Sequence, residues 1–160
     1  VKTRGGADLG YLESLIVGVR DSDAALAGLM VRRLQDRLIV SFPGELLFPP
    51  GSAEPVPGAK RRVVLVADIL RNIPNRLEVY GHADPGAILN GRFDSNWQLS
   101  LARADAVATL MTGAGYDRAI DAFGLSDSRY GEITGSMSAQ RRLALARRVD
   151  IVIRNRLAEQ

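Results

Sequence analysis

The sequence predicts an α+β fold, a mixed sheet with helices on one face. Three observations predict it. Short β-rich runs alternate along the chain with segments of helical periodicity. The breaks between them are rich in proline and glycine. Apolar residues make up 46% of 160 positions, ample for one core, and nothing is repetitive or of low complexity.

Residues 8–35 carry Leu12, Leu15, Ile16, Val19, Leu26, Leu29, Met30 and Leu34 at a spacing close to 3.6. That spacing predicts one or two amphipathic helices, with Asp21-Ser22-Asp23 as a break and a new N-cap. Leu38–Phe42 is β-rich and ends at Pro43-Gly44. Five prolines and three glycines in residues 43–58 call for an irregular loop. Residues 59–72 read as a helix, and Pro74-Asn75 turns the chain into a strand at 76–81. The next helix opens at Ser95, where Ser-x-x-Gln forms a capping box, and runs to about Met111 before Gly113 and Gly115. Its apolar line reads Leu99, Ala102, Ala106, Leu110. Residues 118–123 suggest a strand, 124–137 a loop, 138–147 a helix, and Val149–Ile153 alternates as a last strand. The predicted core is therefore β-α-β-α-β with a further helix and strand. An N-terminal helical extension, residues 1–35, precedes one domain at 36–160.

The composition excludes several functions. A net charge of +3 with interspersed signs implies no strong polyanion partner. The pairs Arg61-Arg62, Arg141-Arg142 and Arg147-Arg148 lack an accompanying aromatic strand, and aromatics are 6% of residues, so nucleic-acid binding is not expected. Solvated helix faces account for the first two pairs. No cysteine means no disulfide and no thiolate metal site, and a single histidine does not support zinc. No metal or cofactor is expected. No run of about 18 apolar residues is present to span a bilayer.

The chemistry concentrates between Leu77 and Val107. Asp84 follows a strand end, and Arg103 lies on the first turns of a helix. A carboxylate and a guanidinium so placed suit a small zwitterion carrying an amine and a carboxylate. Asn96, Ser100 and Arg103 share a helix face through offsets of four and three, and the free N–H groups at the helix start favour an anion. A turn-capping aspartate and an ordinary surface arginine are the plain alternatives. His82 and Asp84 alternate along a strand end, and no Gly-x-Ser-x-Gly elbow accompanies them, so His82 reads as a structural histidine and no catalytic residue is assigned.

These residues carry a family resemblance. Gly81-His82-Ala83-Asp84, then Asn96, Leu99, Ser100, Arg103, Ala104 and Val107, then Arg147-Arg148-Val149 and Ile151 follow in the order of the OmpA/MotB C-terminal peptidoglycan-binding domains. Phe48 with Gly51-Ser52-Ala53-Glu54 resembles that family's first strand and turn. The resemblance spans roughly 36–156, and Ser95-Asn96-Trp97 after a long loop looks more like the flagellar stator (MotB-like) branch than the porin branch. Ala83 stands for the commoner threonine, Ala146 for an asparagine, and Ser126 and Tyr130 for glycine and proline.

The resemblance implies that Asp84 and Arg103 grip the side-chain amine and carboxylate of diaminopimelate in the peptidoglycan stem peptide. Asn96, Ser100, Leu99, Phe48 and Arg148 complete the implied ligand-binding set. It also implies a non-enzymatic periplasmic anchor, with an export signal or membrane tether upstream of Val1. A homodimer through the N-terminal helix is expected, because its apolar stripe needs cover. The alternative is the same fold used as a dimerisation or protein-docking module without wall binding.

Overall fold

A computed structural model of the chain describes residues 8–83, 95–125 and 147–155. The elements run α1 (Leu9–Ser22), β1 (Met30–Arg33), β2 (Arg37–Pro43), α2 (Ala59–Leu70), β3 (Leu77–Gly81), α3 (Asn96–Gly113), β4 (Ile120–Gly124) and β5 (Arg148–Arg154). Short 3-10 turns occupy Ala24–Leu26 and Gly44–Leu46. Most of the loop expected at 124–137 and of the helix expected at 138–147 lies outside the described residues.

The strands form one mixed sheet in the order β1-β2-β5-β3-β4. β5 sits between β2 and β3 and runs antiparallel to both. β3 and β4 are parallel, and α3 is the crossover that a parallel pair requires. Alternation along the strands separates two faces. Leu38, Val40, Phe42, Val79, Val149 and Ile151 point into one core with Leu12 and Ile16 of α1, Val63 and Val66 of α2, and Val107 and Met111 of α3. The intervening residues Ile39, Glu78, Tyr80, Asp150 and Val152 are not part of that cluster. The helices therefore cover one face, as the α+β reading expects.

The N-terminal segment is not helical throughout. α1 stops at Ser22, and the Asp23 carboxylate accepts the Ala25 N–H at 2.9 Å to cap the first 3-10 turn. Gly28 takes a left-handed φ of 97°, which ends the helical run. Met30–Arg33 then pairs antiparallel with β2 as an edge strand, with Arg32 opposite Ile39. The helical spacing of Leu29, Met30 and Leu34 loses to the hydrogen bonds that β2 offers.

The stripe expected to need a second copy is covered in part from within, while Leu15, Met30 and Leu34 stay exposed. Leu12, Ile16, Leu26 and Leu29 are buried in the chain's own core. On α1, Tyr11 and Leu15 are left exposed. Arg61 is on a solvated face as expected, its side chain 61% exposed, but Arg62 is half-buried. Arg61 ion-pairs with Asp23 at 2.9 Å, and Arg62 donates to the carbonyls of Ala25 and Leu46 at 2.9 and 2.8 Å. Together they tie α2 to both 3-10 turns.

α3 also turns a different side inward. Its buried residues are Leu99, Ser100, Arg103, Ala104, Val107 and Met111, while Ala102, Ala106 and Leu110 are only half-buried. Two glycines explain the rotation. A Cβ on Gly81 would collide with the Ser100 carbonyl oxygen, and one on Gly124 would lie 2.7 Å from the Leu101 N and 2.8 Å from the Ser100 Oγ. The ends of β3 and β4 thus let the helix backbone approach closely, and the small Ser100 fits against them.

Candidate ligand site at the start of α3

Ser95 caps α3 as its sequence predicts, its hydroxyl accepting the Gln98 N–H at 3.1 Å. The first turn of this 18-residue helix carries no acidic residue. Two turns further in lies Arg103, 3% exposed. Its Nε donates to the Ser52 carbonyl at 2.8 Å and its Nη2 to the Pro49 carbonyl at 3.1 Å. Its guanidinium carbon sits 5.3 Å from the centre of the Phe48 ring.

The loop that follows β2 is therefore clamped to α3 by one arginine. These two carbonyl oxygens orient the guanidinium fork, and the Phe48 ring lies against it. A planar fork of this kind suits a carboxylate.

Phe48 and Arg103 are thus in contact. Ser100 and Leu99 are fully buried, and the Ser100 hydroxyl donates to the Trp97 carbonyl at 2.9 Å. Ser100 sets the position of the helix against the ends of β3 and β4. Asn96 opens the first turn, beside an exposed Trp97. Ala83 is fully buried. Asp84 lies outside the described residues.

Sequence reasoning did not find the carbonyls of Pro49 and Ser52. A backbone acceptor has no residue-type signature, and only the turn at Gly51-Ser52-Ala53-Glu54 marked the place.

Comparison with known proteins decides the family. The OmpA family profile matches residues 47–145, the segment that contains this site. The chain belongs to the OmpA family. Motility protein B of Escherichia coli K12 is 31% identical over 131 residues, covering 76% of this chain and 39% of that protein. The structure of the type VI secretion (T6SS) cell wall anchor from Pseudomonas aeruginosa superposes with a TM-score of 0.74 at 31% identity, covering 87% of this chain and 96% of that one. A MotB-like protein from Desulfovibrio vulgaris gives 0.78 at 25% identity, covering 92% and 91%. The chain spans well under half the length of the curated relatives it matches.

This OmpA family domain carries a second polar cluster on the sheet face away from the helices. His82 Nε2 lies 3.1 Å from Asp150 Oδ2, and Arg148 Nε lies 3.2 Å from Asp150 Oδ1. Arg148, expected near the ligand site, is therefore placed by its Asp150 pairing on the other face from Phe48 and Arg103. The alternation that sends Val149 and Ile151 into the core sends Arg148 and Asp150 out the opposite side. Asp150 itself went unassigned in the sequence, although its polarity within an alternating strand was the available signal.

Burial raises the Asp150 carboxyl, but hydrogen bonds from His82 and Ser41 and the charge of Arg148 outweigh it and leave the group below its ordinary value. A carboxyl depressed on folding stabilises the fold above its unfolded pKa, near 4, and that contribution is lost as the pH falls through the lower folded value. Asp150→Asn is expected to cost on the order of 2 kcal/mol at neutral pH and to flatten the acid limb of stability below pH ~4. Urea unfolding of both proteins between pH 2 and pH 7 checks this. Parallel acid limbs would remove Asp150 from the acid response.

Proposed function

We propose that this OmpA family chain is a non-enzymatic, periplasmic peptidoglycan-binding domain that anchors a larger membrane or motor protein to the cell wall. Arg103 carries the reading. It is a buried guanidinium two turns into α3, oriented by two carbonyls and an aromatic ring, at the family's ligand-binding position. It would hold the carboxylate of the diaminopimelate side chain, and Asp84 would hold the amine. Similarity to a Pseudomonas aeruginosa cell wall anchor and to Motility protein B supports the same reading.

The polar groups favour binding over catalysis. The buried His82 ring pairs with Asp150 on the sheet face away from the described helices, while the Ser100 hydroxyl is turned to the Trp97 carbonyl on the helix side. That is not the nucleophile–base geometry of a hydrolase. A single charged grip gives modest affinity, so firm anchoring would rest on several copies bound at once. The docking-module alternative loses part of its support, because Leu12, Ile16, Leu26 and Leu29 of the N-terminal stripe are covered within the chain. Pairing of two copies would fall to Tyr11 and Leu15 on the exposed side of α1.

Co-sedimentation with diaminopimelate-type peptidoglycan tests the proposal. The protein is expected to pellet with the wall at low salt and to release no soluble muropeptides. Asp84→Ala is expected to stay in the supernatant with a native circular dichroism spectrum. Steady muropeptide release would sink the non-enzymatic claim, and failure to pellet would return the docking module as the better reading.

A further inference from the structure

The sheet face opposite the helices holds a groove of about 240 Å³. Four arginines line it, Arg32, Arg37, Arg148 and Arg154, over an apolar floor of Ile39 and Val152. At one end Arg148 is answered by Asp150. The other end is not balanced in this way.

There Arg37 on β2 stands directly opposite Arg154 on β5. Arg32 projects from the neighbouring strand β1, opposite Ile39, two residues along from Arg37. Like charges directly opposed across a sheet destabilise it. Arg154 is met by Glu78 at 3.0 Å, with Tyr80 donating to the same carboxylate at 2.9 Å. Asp36, an exposed carboxylate, lies 3.8 Å from both Arg37 and Arg154. Arg37 has no other ion pair among the described residues; its side chain is 37% exposed, but its Nε, the atom nearest Asp36, is buried and makes no hydrogen bond. Arg32 has no ion-pair partner among the described residues. Three guanidinium groups on adjacent strands thus face two carboxylates. A buried donor without an acceptor, beside an opposed pair of like charges, is the arrangement that a bound anion resolves.

The geometry points to an oxyanion site at this end of the groove, in which a phosphate group is held between Arg32, Arg37 and Arg154. A planar carboxylate is satisfied by one or two forks. A tetrahedral phosphate offers oxygens in three directions, which matches donors arriving from three strands. The site lies on the opposite sheet face from Arg103 and does not depend on wall binding.

Thermal unfolding and isothermal titration at low ionic strength test it, with inorganic phosphate as the probe and sodium chloride of matched ionic strength as the control. Vesicles of phosphatidylglycerol against phosphatidylcholine form a second arm, which separates free phosphate from a lipid headgroup. The variants are Arg32→Gln and Arg37→Gln. Neither side chain belongs to the core or to the Arg103 site. Phosphate is expected to raise the wild-type midpoint saturably beyond chloride, and each variant to bind roughly tenfold more weakly. In phosphate-free buffer Arg37→Gln should be no less stable than wild type, because it removes the opposed pair. A response to phosphate or to the phosphatidylglycerol vesicles that the variants lose supports the site and names its source. Equal responses in wild type and variants, no response beyond chloride, or a phosphate-free loss of stability in Arg37→Gln would overturn it.

Discussion

Arg103→Lys is expected to abolish wall sedimentation in a protein that still folds. The lysine keeps one positive charge near the start of α3, but it has no planar fork. It can reach one carbonyl of the Pro49–Ser52 loop rather than both, and it cannot present a paired donor edge to a carboxylate. Stranding the ligand's carboxylate should remove roughly 2–5 kcal/mol of binding energy. For a grip of modest affinity that is complete loss in a pelleting assay. Arg103→Ala is expected to go further and lower stability by roughly 2–4 kcal/mol, because two charge-assisted hydrogen bonds and the Phe48 contact vanish together. The comparison separates the two roles of this residue. Wild-type sedimentation by the lysine variant would make Arg103 only a loop clamp and would place the ligand elsewhere.

Gly81→Ala is expected to be the most destabilising single methyl in the described structure. The cost is wholly steric, since Gly81 is not among the glycines with positive φ. The new Cβ would meet the Ser100 carbonyl, a backbone atom inside a helix that cannot swing aside. Either α3 lifts from the ends of β3 and β4 or β3 shifts against β5. The expected loss is roughly 3 kcal/mol, at the upper end for overpacking. Wall binding should fall with it, because the same displacement moves Arg103. Gly18→Ala is the matched control. Gly18 lies within α1 with nothing within 4 Å of its added Cβ, so alanine there should gain roughly 0.5–1 kcal/mol. Denaturant midpoints for the pair decide the matter, and equal small effects would refute the close approach.

The local signals in this sequence translated directly into structure where nothing competed with them. The Ser95 cap, the helix at Ala59–Leu70 and the alternation of Val149, Ile151 and Ile153 are short-range properties, each set by a capping hydroxyl or a side-chain period. Met30–Arg33 shows where such signals fail. Its apolar spacing is helical, yet the free edge of β2 supplies hydrogen bonds that an isolated helix end cannot match. The inward side of α3 fails for a similar reason. Ala102, Ala106 and Leu110 look like the apolar line, but the rotation of the helix is set by its approach to Gly81 and Gly124 on other elements.

The sequence by itself determined the helix-and-strand order from β2 onward through the described residues, the ordered motif around Arg103, and hence the OmpA family. Each of these resides in residue type and spacing along the chain. Tertiary structure alone decided three things: that Arg103 is buried and clamped by the Pro49 and Ser52 carbonyls, that Arg148 and Asp150 serve the opposite sheet face, and that Leu12, Ile16, Leu26 and Leu29 of the N-terminal stripe are covered by the chain's own core. The physical reason is common to all three. A carbonyl acceptor, a sheet face and a packing partner arise only when segments distant in sequence meet, and no single segment records which neighbour it will find.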